Sequence, residues 1–179
     1  MPSRESPAMS AHPRVLPREE IARIVKRERA AGRVVVTTNG CFDVLHVGHA
    51  RYLREARALG DLLIVGVNTD ASVRKLKGPS RPVIPEDERA EMLASLEVVD
   101  YVTIFGEDTP CELLELIRPS IHVKGGDYSL DQVIEREVVE AAGGEVVVGI
   151  HIPARSTTDI VARILELDGM DQKATTDVS

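Results

Sequence analysis

At 179 residues the chain is long enough for one domain with a sizeable core and short for two. The apolar fraction of 43% is that of an ordinary globular protein, but aromatics make up only 3% and Trp is absent, so the core must be built from Val, Ile, Leu and Ala, as in a buried parallel sheet. A formal net charge of −7 argues against general nucleic-acid binding, no apolar run approaches the ~20 residues of a membrane span, and the N-terminus lacks the apolar region of a secretory signal.

Residues 1–16, rich in Pro, Ser, Ala and Arg, read as a disordered leader. A helix is expected over residues 17–31: Pro17 suits the first turn, Glu19 and Glu20 favour the N-terminal end, and Ile21, Ile24, Val25 and Glu28 trace one face before Gly32 ends it. From there strands and helices alternate. Residues 33–38 form a first aliphatic strand, and residues 47–59 a helix that stops at Gly60. Residues 62–67 are a second strand, followed by a long polar loop over residues 68–85. A helix opened by Pro85 runs to Leu96, residues 101–105 are the third strand, and residues 110–117 a helix. Residues 120–124 are the fourth strand, residues 130–142 a helix closed by Gly143 and Gly144, and residues 145–150 the fifth strand. The last helix spans residues 156–167, and the polar tail over residues 168–179 is expected to be disordered.

Five aliphatic strands separated by helices imply a Rossmann-like, doubly wound α/β domain with a parallel five-stranded sheet, a single unit over residues 17–167. Ligands of such folds bind beyond the carboxyl ends of the strands, where strand order reverses. The segments after the strands, residues 38–49, 68–81, 124–128 and 153–158, are also the richest in Gly, His, Lys, Ser and Thr, so the chemistry is expected there.

His46 and His49 stand three apart at a helix start, on one face, where free N–H groups and the helix dipole already favour phosphate. With Gly48 between them they form a phosphate clamp; the plainer alternative is a pair of surface or capping histidines. A zinc site would need further ligands. The preceding Asn39-Gly40 suits a tight turn with positive φ, and the small Cys41 beside Phe42 leaves room for backbone approach. Ser156-Thr157-Thr158-Asp159 reads as a helix N-cap, a second phosphate-facing helix start, or both. Lys124, beside Gly125 and Gly126, either meets a phosphate or a nucleotide edge or is solvated on a glycine-rich turn. Lys75, Lys77 and Arg81 make the loop over residues 68–85 either a solvated basic loop or a lid that brings charge to phosphates. Arg89 has two readings, a surface ion pair or a reach to a sugar phosphate. Cys41 and Cys111 lie in no metal-type spacing and read as reduced thiols of a cytoplasmic protein. No G-x-G-x-x-G follows the first strand, which weighs against a dinucleotide site.

The string Gly40-Cys41-Phe42-Asp43-Val44-Leu45-His46-Val47-Gly48-His49 resembles the G-[small]-F-D-x-x-H-x-G-H signature of the cytidylyltransferase-like nucleotidyltransferases. Within that superfamily the order of Val123-Lys124-Gly125-Gly126-Asp127-Tyr128, Ala141 to Val147 and Ser156-Thr157-Thr158 resembles the heptose 1-phosphate adenylyltransferases of ADP-heptose synthesis. Ile104 to Pro110 and Arg81-Pro82 fit the same pattern, and the resemblance runs over residues 16–165. Two positions depart from it. Arg155 stands where many relatives have an apolar residue or Cys, and Glu135, expected on a surface helix, stands where the subfamily often has Gly. The domain is often fused behind a sugar kinase; none precedes it in this sequence, which reads as the stand-alone form.

The resemblance implies transfer of AMP from ATP to a sugar 1-phosphate. It implies catalytic roles for His46, His49 and Lys77, and nucleotide binding by Gly40, Cys41, Phe42, both histidines, Lys124, Gly125, Asp127, Arg155, Ser156, Thr157 and Thr158. Sugar-phosphate binding falls to Asn39, Asp43, Lys75, Lys77 and Arg89. Mg²⁺ is expected to ride on the triphosphate with no dedicated protein site, and similar proteins are commonly dimers. Cytidylyl transfer to glycerol 3-phosphate or a similar alcohol phosphate, and an inactive nucleotide-binding regulator, are the competing functions.

Overall fold

Five aliphatic runs assemble into one parallel sheet in the order β3-β2-β1-β4-β5 in a computed structural model that describes residues 12–126, 129–150 and 157–176, with backbone alone at residues 149–150 and 169–176. The strands are β1 (Val35–Gly40), β2 (Leu62–Asn68), β3 (Tyr101–Phe105), β4 (Ile121–Gly125) and β5 (Glu145–Ile150). α1 (Arg18–Ala30) precedes β1, crossovers are supplied by α2 (Val47–Arg57), α3 (Asp70–Lys77), α4 (Glu86–Ala94), α5 (Cys111–Ile117) and α6 (Arg136–Ala141), and α7 (Thr157–Thr176) follows β5. The doubly wound α/β class expected from the alternation is the observed one. β2 is buried along its whole length, as befits a strand covered on both faces whose sequence is a continuous apolar run.

Side-chain alternation along the strands splits the core in two. Val36, Leu63, Val65, Val67, Val102 and Val123 pack with Leu53 and Ala56 of α2 and Ala90 and Leu93 of α4. Val35, Ile64 and Phe105 face the other way, onto Ile21 and Val25 of α1 and Leu113 and Ile117 of α5, and α6 lies beside α5. β1 pairs with β2 on one side and β4 on the other, so the strand order reverses between β1 and β4. Their carboxyl ends diverge into a fork, where a doubly wound sheet leaves room for ligands.

Four expectations need correction. The loop over residues 68–85 contains a helix, α3, whose start is capped by Thr69 accepting from the Ser72 N–H and whose last turn carries Arg74, Lys75 and Lys77. Its only buried side chains are Ser72 and Val73, too few to write a periodic pattern. The helix over residues 130–142 is broken: a 3₁₀ turn spans Leu130–Gln132, Val133 is extended and buried, and α6 starts only at Arg136. Residues 14–16 belong to the fold, not to a leader. Val15 bridges Val102, Leu16 donates to the Val102 carbonyl and Val102 donates to that of Arg14, which covers the otherwise open edge of β3. The last helix runs nine residues past Leu167, into the segment expected to be disordered. No described helix is long and apolar enough to cross a membrane.

Candidate active site at the fork between the first and fourth strands

The fork opens into a crevice of about 780 Å³, within the range that holds a nucleotide-sized ligand. Its α2 wall is built from the His46-Val47-Gly48-His49 turn. His46 is the N-cap of α2, and its Nδ1 accepts from the Gly48 N–H at 3.1 Å, which leaves the ring proton on Nε2. The two imidazoles stack, with ring centroids 3.9 Å apart and an interplanar angle of 29°. His49 also meets the Phe42 ring at 5.3 Å, and its Nδ1 is buried without a partner among the described residues. Burial lowers the pKa of His46; burial, with His46 alongside, pushes His49 down to about 4. Both rings are therefore neutral at pH 7, and an anion bound beside either would raise its pKa.

Positive φ falls two residues beyond the expected Asn39-Gly40. Asn39 and Gly40 are the last residues of β1, paired with Gly66 and Val67, while Phe42 takes φ 45°. A non-glycine residue in that region is strained and needs support from its surroundings. Phe42 finds it in burial, and Gly40 makes room for its ring: a Cβ there would lie 3.1 Å from Phe42 Cε2. Below the histidines Tyr52 fills the split between the strands. Its hydroxyl donates to the Val123 carbonyl at 3.0 Å and accepts from Thr38 Oγ1 at 2.6 Å, and burial pushes its pKa up to about 12. Gly125 lies over the Tyr52 ring, where a Cβ would come within 2.8 Å. Tyr52 is a residue that the sequence reading missed, although its i+3 spacing from His49 put it on the same helix face.

The opposite wall belongs to α5 and α6. Thr37 and Asn39 of β1 and His122 and Lys124 of β4 point to that side by alternation, and Thr37 Oγ1 meets His122 Nδ1 at 2.9 Å. Lys124 Nζ donates to Glu135 Oε1. Glu135, expected on the surface, is completely buried at the start of α6 and lines the crevice. No periodicity marks it, because the preceding helix is broken at Val133.

The other predicted site residues divide clearly. Cys41, Lys77, Thr157 and Thr158 line the crevice with the histidines, Asn39, Gly40, Phe42, Lys124 and Gly125. Thr157 Oγ1 also donates to the Val44 carbonyl at 3.3 Å, tying the start of α7 to the histidine turn. Asp43 borders the crevice but is buried with both oxygens engaged: Oδ1 accepts from the N–H groups of Val83 (2.7 Å) and Ile84 (3.0 Å), and Oδ2 from Arg81 Nε. It fastens residues 81–84 and orients Arg81, which lines the crevice beside it. Lys75 is exposed and paired with Asp108 at 2.8 Å, on the rim. Arg89 is neither on the surface nor at a sugar phosphate. It is 1% exposed, and its guanidinium commits four of its five N–H donors inside the fold, to the carbonyls of Ile84, Cys41 and Asn68 and to Asp70 Oδ1. Sequence spacing could not show this, since its partners come from three other segments. Asp127, Arg155 and Ser156 lie outside the described residues. Among the described residues no group of three or more His, Cys, Asp or Glu stands together as a metal site.

Comparison with known proteins agrees with this geometry. The family model described as cytidylyltransferase-like matches residues 37–179. The bifunctional protein HldE of Geobacter sulfurreducens is 54% identical over 149 residues, 83% of this chain and 30% of that protein, and the HldE of Citrifermentans bemidjiense is 56% identical over 145 residues, 81% of this chain and 30% of that one. The chain thus spans less than a third of the length of these relatives. Among solved structures, a lipopolysaccharide core biosynthesis protein from Thermoplasma volcanium superposes with a TM-score of 0.58 at 29% identity, over 70% of this chain and all of that one. A pantoate-beta-alanine ligase from Francisella tularensis shares the fold at 13% identity, with a TM-score of 0.54 over 83% of this chain and 69% of its own. The histidine turn at the fork, the fold around it and these matches together place the chain in the cytidylyltransferase-like family of nucleotidyltransferases.

Proposed function

We propose that the chain transfers AMP from ATP to D-glycero-β-D-manno-heptose 1-phosphate and releases pyrophosphate. The observation that carries this reading is the stacked, neutral His46–His49 pair at the N-terminus of α2, facing Lys77 and Lys124 across one crevice. The heptose part rests on the motif order over residues 104–158, on the HldE relatives, and on the structural neighbour described as a lipopolysaccharide core biosynthesis protein.

A phosphate oxygen of the sugar 1-phosphate attacks the α-phosphorus of ATP in line. A P–O bond forms there as the bond to the β-phosphate bridging oxygen breaks. The attacking group is already anionic at neutral pH, so positioning and charge neutralisation do the work of a general base. His46 Nε2–H and His49 donate to α- and β-phosphate oxygens, aided by the free N–H groups of the first turn of α2. Lys77 and Arg81 offset substrate charge from the β2 side, and Thr157 and Thr158 hold β and γ oxygens from the start of α7. Magnesium, carried by the triphosphate, would supply further charge neutralisation. This reading puts the protein in the cytoplasm with ATP and a sugar 1-phosphate as partners, and a homodimer is testable by light scattering.

The deciding assay measures pyrophosphate release with ATP, CTP and GTP, each against heptose 1-phosphate and glycerol 3-phosphate. Turnover with ATP and heptose 1-phosphate is expected to dominate. Preference for CTP with glycerol 3-phosphate would establish a cytidylyltransferase instead, and ATP binding with no turnover across the panel a regulator.

A further inference from the structure

The two walls of the crevice offer ligands opposite chemistry, and the α5/α6 wall has demands that the triphosphate cannot meet. Glu135 is completely buried, lines the crevice and gives Oε1 to Lys124, while Oε2 is buried with no partner among the described residues. Asn39 Oδ1 is in the same condition on the same wall. Thr38 of β1 is in register with Val123 of β4, so Asn39 and Lys124, one step on, stand level with each other. An acceptor left unpaired in a buried place costs about 1–3 kcal/mol, more when charged, so these oxygens call for a donor. A phosphate at neutral pH offers only acceptors and would be repelled by them. A sugar hydroxyl can donate to a carboxylate or amide oxygen while accepting from an ammonium group, and here the ammonium of Lys124 lies against the carboxylate of Glu135.

We propose that Glu135 Oε2, with Asn39 Oδ1 and Lys124 Nζ, binds the hydroxyl groups of the sugar acceptor and makes Glu135 a specificity-determining residue. The inference rests on the sugar-phosphate reading above. It divides the crevice by chemistry: phosphates go to the neutral histidines and the start of α2, hydroxyls to the acceptor-rich wall under α5 and α6. The adenine amine and the ribose hydroxyls are the other donors among the substrates, and all of them belong to ATP, so the two sources are separable by kinetics.

The test is steady-state pyrophosphate release by the full chain with ATP and heptose 1-phosphate, varying each substrate in turn, for Glu135→Gln and Asn39→Ala. Glu135→Gln keeps the shape and removes the charge. Its KM for the sugar phosphate is expected to rise about tenfold, the loss of one hydrogen bond to a charged group, with the KM for ATP unchanged within about twofold. Asn39→Ala is expected to shift the same constant in the same direction, and it carries the test if Glu135→Gln fails to fold. A rise in the KM for ATP, or no change in that for the sugar phosphate, overturns the inference while leaving the proposed reaction intact. No turnover by the unmodified protein on heptose 1-phosphate overturns the reaction and this inference with it.

Discussion

The two walls of the crevice are made by the same pair of strands, one residue out of phase, yet they differ in how their polar groups are settled. On the α2 side Thr38, Tyr52 and the Val123 carbonyl form a closed chain of hydrogen bonds, and His46 spends Nδ1 on its own helix. On the α5/α6 side Asn39, His122 and Glu135 each keep a buried polar atom without a partner among the described residues. The first wall is largely preorganised, although His49 Nδ1 is also buried without a partner among the described residues. The second is unsatisfied, and is completed only by something that enters. A one-residue step along β1 and β4 separates these behaviours because side chains alternate between faces.

The contrast breaks most directly at the histidines. Replacing His46 or His49 by Ala is expected to slow pyrophosphate release about a hundredfold or more, near 3 kcal/mol, as for other preorganised donors at a developing charge. Near-normal turnover in both variants would remove the α2 wall from the chemistry.

Acid tests both walls at once, since each holds one histidine pushed down to about 4, His49 chiefly by burial with His46 adding to it and His122 chiefly by burial. The folded-state pKa lies below the unfolded value near 6.5, so below pH 6.5 the unfolded chain binds protons that the folded one refuses. Stability is full above that pH and falls as pH drops toward 4, by roughly 3 kcal/mol for His122 at the limit. Urea midpoints at pH 7 and pH 4.5 measure the loss, and His122→Gln should recover part of it. A midpoint that does not move between these pH values would show that neither ring is held neutral.

Closer to the fork, Gly125→Ala forces a methyl group against the Tyr52 ring and should cost about 1–3 kcal/mol in thermal or urea melting, the usual penalty of overpacking. Unchanged stability would mean that the two strands are not held at this spacing. The smallest effect expected is that of Tyr52→Phe, about 1 kcal/mol for the lost hydrogen bonds to Thr38 and Val123. If Tyr52→Phe instead equals the histidine variants in rate, the hydroxyl acts on substrate as well as on the frame.

Much of the protein was legible in the chain because it is written locally. The five aliphatic runs announced five strands, since strands buried on both faces need continuous apolar sequence, and the alternation with helices announced a parallel sheet. The position of His46-Val47-Gly48-His49 after β1 announced a helix N-terminus with two rings on one side. Helix α3 escaped because a short helix with two buried side chains, one of them Ser72, carries no apolar rhythm.

What tertiary structure alone decided concerns groups whose partners lie far away in sequence. Arg89 is silent in its own helix, and only the convergence of Cys41, Asn68, Asp70 and Ile84 turns it from an apparent ligand-binding arginine into a buried clamp. Asp43 is likewise engaged by a segment about forty residues on. Glu135 reads as a surface carboxylate until the break at Val133 turns it under the sheet against Lys124. Charge and spacing show which residues are able to reach a ligand. Whether they do so depends on which buried donors and acceptors the fold has already matched, and that is fixed only when distant segments meet.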